Sequence, residues 1–131
     1  MADARLDELV GAARAARERA YAPYSGFAVG AAALAGDRTF TGSNVENASY
    51  PVSGCAERHA VAAMIDGGER RLDAIAIVTD AAAPTPPCGA CRQVLWEFGP
   101  SSLVVSETLA GDRLVWALED LVPAPFERGT R

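Results

Sequence analysis

The fold of this 131-residue chain is decided by an apolar run near its middle, residues 72–79, which read LDAIAIVT. A strand with one face in water alternates polar and apolar residues, so an almost continuous apolar run predicts a strand buried on both faces. Helical patterns flank this strand, over about 55–66 and about 89–98, and a glycine follows each of them. Buried strands that alternate with helices predict a three-layer α/β fold.

The rest of the chain extends this prediction to a sheet of about five strands within one domain, residues 1–131. No internal repeat, low-complexity tract or change of composition marks a second domain. The polar stretch over 44–51 and the proline-rich stretch over 81–87 are predicted loops. The other predicted elements are a helix over about 5–20, strands over about 27–34, 38–45, 103–106 and 113–116, and a short helix near 118–121.

The charge balance of the chain excludes several classes of function. The net charge is −5, and all 12 basic residues are arginine, which argues against a large polyanionic partner such as duplex DNA. The absence of lysine excludes a Schiff-base mechanism. We find no apolar signal segment near the first residues and no apolar run as long as a membrane span. These features predict a cytoplasmic protein that binds neither nucleic acid nor membrane.

Three cysteines indicate a metal site: Cys55, and the pair Cys88 and Cys91 in the motif PCGACRQ. An odd number of cysteines without a secretory signal favours reduced, metal-bound thiolates over disulfides. Three thiolates hold a zinc ion and leave its fourth tetrahedral position open for water, which is the layout of a catalytic site. Glu57 lies two residues after Cys55 in the motif CAER, where a carboxylate can move protons to and from that water.

Both metal-binding segments are predicted at helix N-termini, with Cys55 in the first turn of its helix and Ser53 or Gly54 as the cap. Unpaired N–H groups and the positive end of the helix dipole lower the pKa of thiols there. Because three thiolates outweigh the charge of one zinc ion, a positive group near the sulfur atoms is expected. Arg58 is the first candidate for this group and Arg92 is the second.

Several motifs together identify a family. Cysteine followed by alanine and glutamate, with a later Pro-Cys-x-x-Cys, is a signature of zinc-dependent deaminases of nucleobases. The motifs are YAPYSGF at 21–27, NVENASY at 44–50, CAER at 55–58, PCGACRQ at 87–93 and DLVPAPF at 120–126. Over nearly its whole length, the chain resembles the small homotetrameric cytidine deaminases.

The resemblance implies a three-layer α/β/α domain with a mixed sheet, one zinc ion per chain and a homotetramer. The implied reaction is hydrolytic deamination of cytidine and deoxycytidine to uridine and deoxyuridine, a step of pyrimidine salvage that releases ammonia. The implied zinc ligands are Cys55, Cys88 and Cys91, and zinc-bound water attacks C4 of the cytosine. Glu57 is implied to shuttle protons from this water to N3 and then to the departing amine.

The resemblance also implies six substrate contacts, two of them at a subunit boundary. An amide and a carboxylate two residues apart on an extended segment point the same way and can bind hydroxyl groups. The implied contacts are Asn44 and Glu46 with the ribose, Phe27 with the sugar and base, the backbone of Ala56 with the pyrimidine edge, and Tyr50 and Phe126 where a neighbouring subunit completes the site.

Two residues depart from the family pattern. His59 stands where the family usually has threonine, and Gly54 stands where relatives often carry a larger residue. Because His59 and Cys55 share a helix face, one alternative is a closed structural zinc site made by three cysteines and His59. We favour a His59 that packs against the neighbouring helix or a subunit, since a structural site would leave Glu57 and residues 44–47 without a task.

Three other functions share some of these features. A deaminase of a modified cytosine nucleoside, of the blasticidin type, uses the same chemistry, but such relatives tend to lack the pair formed here by Asn44 and Glu46. Editing of nucleic acid is disfavoured by the acidic charge and the absence of lysine. A non-catalytic, zinc-stabilised interaction module is the alternative from a different class.

Overall fold

The computed structural model describes residues 1–128 and confirms the predicted three-layer arrangement around a mixed sheet. The order of the strands across the sheet is β2-β1-β3-β4-β5. Only β3 and β4 run parallel, and the other neighbours are antiparallel. The five strands of this part of the chain are β1 (Gly30–Ala35), β2 (Arg38–Ser43), β3 (Ala74–Thr79), β4 (Leu103–Thr108) and β5 (Arg113–Ala117).

The helices lie close to their predicted positions. The bounds of α3 match the prediction, while α1 ends three residues early because the chain turns for the N–H of Tyr21 to donate to the carbonyl of Asn44. Within residues 1–128, no helix combines the length and the apolar character needed to cross a membrane. The helices of these residues are α1 (Asp3–Arg17), α2 (Ala56–Asp66), α3 (Gly89–Phe98) and α4 (Leu118–Leu121), with a 3₁₀ turn at Tyr50–Val52.

The two faces of the sheet carry separate apolar cores. On one face, α1 packs Leu6, Leu9 and Val10 against the strands, while α2, α3 and α4 cover the other face. β3 is buried along its whole length, as its continuous apolar run predicts. Ile75 and Ile77 face the side of α2 and α3, and the residues that alternate with them face α1. Burial of each such large side chain stabilises the fold by about 1.5–3 kcal/mol.

β1 begins three residues later than predicted because the side chain of Asn44 takes the place of a strand partner. Its amide oxygen accepts a hydrogen bond from the N–H of Val29 at 2.8 Å, and its amide nitrogen donates to the carbonyl of Phe27 at 2.8 Å. These bonds satisfy backbone groups that a longer β2 would otherwise pair. Residues 27–29 therefore form a loop, and the strand starts at Gly30.

One edge of the sheet brings several segment ends together. Gly30, at the start of β1, pairs with both Ser43 at the end of β2 and Val78 near the end of β3. The loops that leave β2 and β3 at this edge lead to the N-termini of α2 and α3. Chain segments that are distant in sequence consequently meet at one place.

Candidate metal and substrate site

The sulfur atoms of the three cysteines meet where α2 and α3 begin, and all lie within 4.8 Å of one another. Cys88 caps α3, and its sulfur accepts a hydrogen bond from the N–H of Cys91 at 3.5 Å. Cys55 is itself the capping residue of α2, with an extended backbone, so it precedes the first turn and neither Ser53 nor Gly54 is the cap. Each helix therefore contributes sulfur from its N-terminus.

The charges of this cluster suit a divalent cation. Burial raises the pKa of the Cys88 thiol, but hydrogen bonds from Cys91 and the N–H of Ala90 outweigh it, so that pKa lies below its ordinary value. Burial, and then the negative charges of Glu57, Cys55 and Cys88, raise the pKa of Cys91. A zinc ion would relieve this repulsion. Three sulfur donors within reach of one another thus fit zinc and leave one tetrahedral position for a non-protein ligand.

Two arginines flank the sulfur atoms and have different partners. A guanidinium nitrogen of Arg58 donates to the carbonyl of Ser53 at 3.0 Å and lies 3.9 Å from the sulfur of Cys55. Arg92, the second candidate for this role, instead donates to the carbonyl of Pro87 at 2.8 Å and to that of Leu121 at 3.2 Å. Arg58 is therefore the arginine whose charge lies against a sulfur atom, and Arg92 fastens the loop before α3 to α4.

Glu57 lies in the first turn of α2 and is only 7% exposed. Burial raises the pKa of its carboxyl group above the ordinary value. Hydrogen bonds from its own N–H and from Cys91, and the positive charge of Arg58, oppose this shift without cancelling it. A carboxyl group with a raised pKa gains and loses a proton closer to neutral pH, which is the property of a general acid and base.

Glu46 is a second carboxylate, and its surroundings shift its pKa in the opposite direction. The hydroxyl of Ser25 donates to it, and the N–H groups of Tyr24 and Ser25 donate to Oε1 at 3.0 and 3.1 Å. The hydroxyl bond has the largest effect, and together these bonds lower the pKa of Glu46 in spite of burial. Glu46 is thus held as a hydrogen-bond acceptor, while Glu57 is suited to proton exchange.

A cavity of about 380 Å³ opens in front of the sulfur atoms and both carboxylates. Cys55, Cys88 and Glu57 line it, while Cys91 lies buried behind them. Five of the six residues predicted to contact a substrate are also part of its lining, and they are Phe27, Asn44, Glu46, Tyr50 and Ala56. The structure therefore brings most of the predicted site together from four separate stretches of sequence.

Phe126 is the predicted contact that does not line the cavity. The side chain of Gln93 donates to the carbonyl of Phe126 at 2.9 Å and accepts from its N–H at 3.2 Å. Trp96, which packs partly against the core, donates to Glu127 at 3.0 Å. The backbone of this tail is fixed along α3, whereas the ring of Phe126 is 70% exposed.

Residues that sequence patterns did not single out also line the cavity, among them Ser25, Ile77, Thr79 and Thr85. Ser25 belongs to the motif at 21–27, but its bond to Glu46 joins residues 21 positions apart and has no local signal. The hydroxyl groups of Thr79 and Thr85 lie 3.2 Å apart and hold the proline-rich loop over the end of β3. The apolar run of β3 predicts burial for Ile77 and gives no sign of a cavity.

His59 lies outside the metal-binding group that residues 1–128 form. Its Nδ1 atom is 2.7 Å from the carbonyl oxygen of Ser43, at the end of β2. This placement does not favour a closed structural site with four protein ligands, because the imidazole is engaged with β2.

Known proteins are similar to this chain in sequence. The family model of the cytidine and deoxycytidylate deaminase zinc-binding region matches residues 4–107. A cytidine deaminase of Sporosarcina psychrophila is 43% identical over 125 residues, which cover 94% of this chain and 92% of that protein. A cytidine deaminase of Halalkalibacterium halodurans is 47% identical over 113 residues, or 85% and 86% of the two chains.

A solved structure agrees with these matches. The crystal structure of cytidine deaminase from Burkholderia pseudomallei superposes with a TM-score of 0.88 at 48% identity, covering 92% of this chain and 98% of that one. The likeness therefore extends over the whole fold and includes the segments that form the site. The chain belongs to the cytidine and deoxycytidylate deaminase family.

Proposed function

We propose that this chain hydrolyses cytidine and deoxycytidine to uridine and deoxyuridine and releases ammonia. The observation that carries the proposal is the position of Glu57, a buried carboxyl group with a raised pKa beside three sulfur atoms that suit zinc. The cavity in front of it has a volume of about 380 Å³, which lies in the range of sites for small molecules.

The proposed chemistry divides between the cysteines and Glu57. Cys55, Cys88 and Cys91 would hold the zinc ion, which when bound lowers the pKa of water and so supplies hydroxide at neutral pH. Glu57 accepts a proton from the attacking water and delivers one to N3 of the base. It then takes the proton of the new hydroxyl group at C4 and passes it to the amine, so that the C4 carbonyl forms as ammonia leaves. One water is consumed for each ammonia, and its oxygen becomes the carbonyl at C4.

Asn44 and Glu46 supply the proposed grip on the ribose. A carboxylate has about four lone-pair positions, and the contacts of Glu46 with Tyr24 and Ser25 use three of them. The amide of Asn44 makes one bond through its oxygen and one through its nitrogen, which leaves one acceptor and one donor position. Both side chains are therefore held in place and still have capacity for sugar hydroxyl groups.

The charge of the cavity favours a nucleoside over a nucleotide. The described residues that line it include the carboxylates of Glu46 and Glu57 and no arginine. A 5′-phosphate would lie near these negative carboxylates without a cationic partner, and burying an unpaired charge costs free energy. The family description covers both cytidine and deoxycytidylate deaminases, and the charge supports the former as the activity of this chain.

Two competing functions are less well supported. A deaminase of a modified cytosine nucleoside would share the metal site, but the ordered ribose-facing pair of Asn44 and Glu46 supports a plain sugar. A substrate panel with cytidine, deoxycytidine, their 5′-monophosphates and blasticidin separates these activities. A non-catalytic zinc module would give no reason for a buried Glu57 at the cavity.

We further propose that the chain acts as one domain, in a homotetramer, in the cytoplasm. One sheet carries all the described helices, which supports a single domain. Tyr50, Val52 and Phe126 are 58%, 68% and 70% exposed, and exposed aromatic and aliphatic side chains suit a subunit boundary. The reducing conditions of the cytoplasm keep thiols free of disulfides and available to a metal, which supports this location. Analytical ultracentrifugation of the zinc-loaded chain measures the oligomeric state.

Ammonia release from cytidine by the zinc-loaded chain tests the proposed function. Glu57→Ala is expected to lower kcat about 10³-fold, because general acid–base catalysis contributes on the order of 10²–10⁴-fold. The variant should keep one zinc ion per chain, since Glu57 is not a ligand. Asp66→Ala, at the exposed far end of the same helix, is the matched control and should retain activity. A zinc-loaded parent without turnover on cytidine or deoxycytidine would refute the proposal.

A further inference from the structure

The only histidine of the chain, His59, lies where α2 meets the end of β2, and the proposed mechanism gives it no role. Nδ1 of His59 lies 2.7 Å from the carbonyl oxygen of Ser43. Because a carbonyl oxygen only accepts hydrogen bonds, Nδ1 carries a proton and donates it. This bond connects the first half of α2 to the last residue of β2.

The ring of His59 fills the space that a side chain at position 54 would need. An ideal Cβ atom on Gly54 would lie 2.2 Å from Nε2 and 2.4 Å from Cε1 of His59. Atoms at these distances overlap, so any other residue at position 54 forces the imidazole to move. The two departures from the family pattern are therefore a matched pair, a larger ring at position 59 and no side chain at position 54.

This pair lies beside a bridge that connects the ribose-facing segment to the metal-binding one. The N–H of Gly54 donates to the carbonyl of Val45 at 2.9 Å, and the N–H of Val45 donates to the carbonyl of Gly54 at 3.0 Å. Val45 stands between Asn44 and Glu46, and Gly54 directly precedes Cys55. A shift of this bridge therefore moves the proposed ribose contacts relative to the proposed metal site.

α2 packs closely on β2 beside the Cβ atom of His59. An ideal Cβ atom on Gly42 would lie 2.5 Å from the nitrogen of Ala60, 2.7 Å from the carbonyl oxygen of Ala56 and 2.8 Å from Cβ of His59. The backbone of β2 thus touches α2 at the turn that carries His59. A displaced ring consequently presses on the bridge at Gly54 and Val45.

We propose that His59 is a positioning residue for the ribose. With Gly54 as its required neighbour, it fixes the segment that carries Asn44 and Glu46 against the start of α2. This inference rests on the proposed function, because the ribose contacts belong to it. His59 acts through position, so its loss weakens substrate binding more than proton transfer at Glu57.

Steady-state kinetics of zinc-loaded variants test this role. His59→Leu removes the donor and keeps an apolar bulk, and we expect KM for cytidine to rise about fivefold with kcat within about twofold, as for one lost hydrogen bond. His59→Asn should restore KM, because its amide N–H takes the place of Nδ1–H. A fall in kcat at constant KM, or equal KM values for the two variants, would overturn the proposal.

A double-mutant cycle tests whether Gly54 and His59 act as a pair. Gly54→Ala alone should raise KM about fivefold, because the methyl group displaces the ring. In a His59→Thr background the shorter side chain leaves room, so adding Gly54→Ala should change KM by less than about twofold. All these proteins should contain one zinc ion per chain. Additive effects of the two substitutions, or loss of zinc on replacing His59, contradict the matched pair.

Two readouts do not need turnover and separate this inference from the proposed function. Nitrogen-15 labelled histidine gives one pair of ring signals, and we expect the Nδ1-protonated form in the parent and its loss in Gly54→Ala. Urea unfolding should show a smaller destabilisation by Gly54→Ala in the His59→Thr background. A ring that is protonated at Nε2 and not at Nδ1, or unfolding energies that are additive, would overturn the inference. If Gly54 and His59 are coupled but the zinc-loaded parent releases no ammonia, the role of the pair in ribose binding and the proposed function are both overturned.

Discussion

The two helices that supply sulfur atoms begin alike but are held in different ways. Both are capped by a cysteine, Cys55 in α2 and Cys88 in α3. The start of α2 is tied to the segment that follows β2 through the bridge between Val45 and Gly54. The start of α3 follows a proline-rich loop and is held by Arg92, which donates to carbonyl groups on the loop and on α4.

This difference indicates a division of labour between the helices. α2 carries Glu57 and is joined to the segment of Asn44 and Glu46, so in the mechanism that we propose proton transfer and substrate orientation both depend on it. α3 contributes two of the three sulfur atoms and no carboxylate in its first turn. Substitutions at the start of α3 should therefore change metal retention, whereas those around α2 at positions other than Cys55 should change kinetics at constant zinc content.

The largest expected effect is the loss of metal and activity in Cys91→Ala. Cys91 is fully buried, and its removal leaves two sulfur atoms, which bind zinc far more weakly than three. We expect less than about a tenth of a zinc ion per chain and no measurable turnover, with a fold that is preserved because Ala leaves only a small cavity. Mass spectrometry of the native protein and ammonia release provide the measurements.

Ala90→Ser is the matched control for Cys91→Ala, since it alters an exposed neighbour in the same turn of α3. It should leave both zinc content and turnover at the parent level. One zinc ion per chain in Cys91→Ala would show that Cys91 of α3 is not needed as a zinc ligand. The comparison of the two helices would then lose its basis.

Arg92→Leu and Arg58→Leu sharpen the same comparison at a smaller scale. Arg92→Leu removes two hydrogen bonds from a charged donor to partly buried backbone, and each such bond contributes on the order of 1.5–3 kcal/mol. We expect the free energy of unfolding to fall by about 3 kcal/mol and zinc to be lost more quickly to a chelator. Leucine keeps part of the apolar stem of arginine, so the lost bonds dominate the effect.

Arg58→Leu should behave differently because Arg58 is exposed and its charge lies 3.9 Å from the sulfur of Cys55. An exposed charge contributes little to stability, so we expect a change below about 1 kcal/mol in the free energy of unfolding. The main expected effect is a several-fold change in kcat, since less charge is withdrawn from the thiolates. Urea unfolding and kinetics measured side by side test the pair, and equal stability losses would remove the distinction between the helices.

Local patterns predicted most of the fold, and long-range side-chain bonds account for what they missed. The bounds of α3 and the full burial of β3 follow from spacing and composition alone. The late start of β1 does not, because it depends on an amide of Asn44 that bonds to residues 15 and 17 positions away. No helical or strand periodicity records such a bond.

The site shows the same limit. The three cysteines and Glu57 could be predicted because their spacing encodes two helix N-termini. The bond of Ser25 to Glu46 and the fit of His59 over Gly54 could not, because each depends on how separate segments approach in three dimensions. The role of Arg92 likewise became clear only from its carbonyl partners on two different segments.

The smallest expected effect concerns Ser25 and Glu46, since Glu46 belongs to the segment that the bridge connects to α2. Ser25→Ala tests it. The hydroxyl of Ser25 is the main cause of the lowered pKa of Glu46. A folded pKa below the unfolded one contributes stability above the unfolded value, near 4.5, and this contribution is lost as pH falls through the folded pKa. Ser25→Ala should therefore be less stable than the parent at pH 7, and the difference should shrink as pH falls below about 4.5.

Urea unfolding of parent and variant at matched pH values measures that difference, in which the contribution of zinc common to both proteins cancels. KM for cytidine should rise about threefold in the variant at neutral pH with little change in kcat, because Glu46 loses one of the bonds that orient it. A stability difference that stays constant down to pH 3 would show that Ser25 does not act through the ionised form of Glu46. A fall in kcat alone would show that Ser25 and Glu46 act in proton transfer. The distinction between substrate orientation by Glu46 and chemistry by Glu57 would then be wrong.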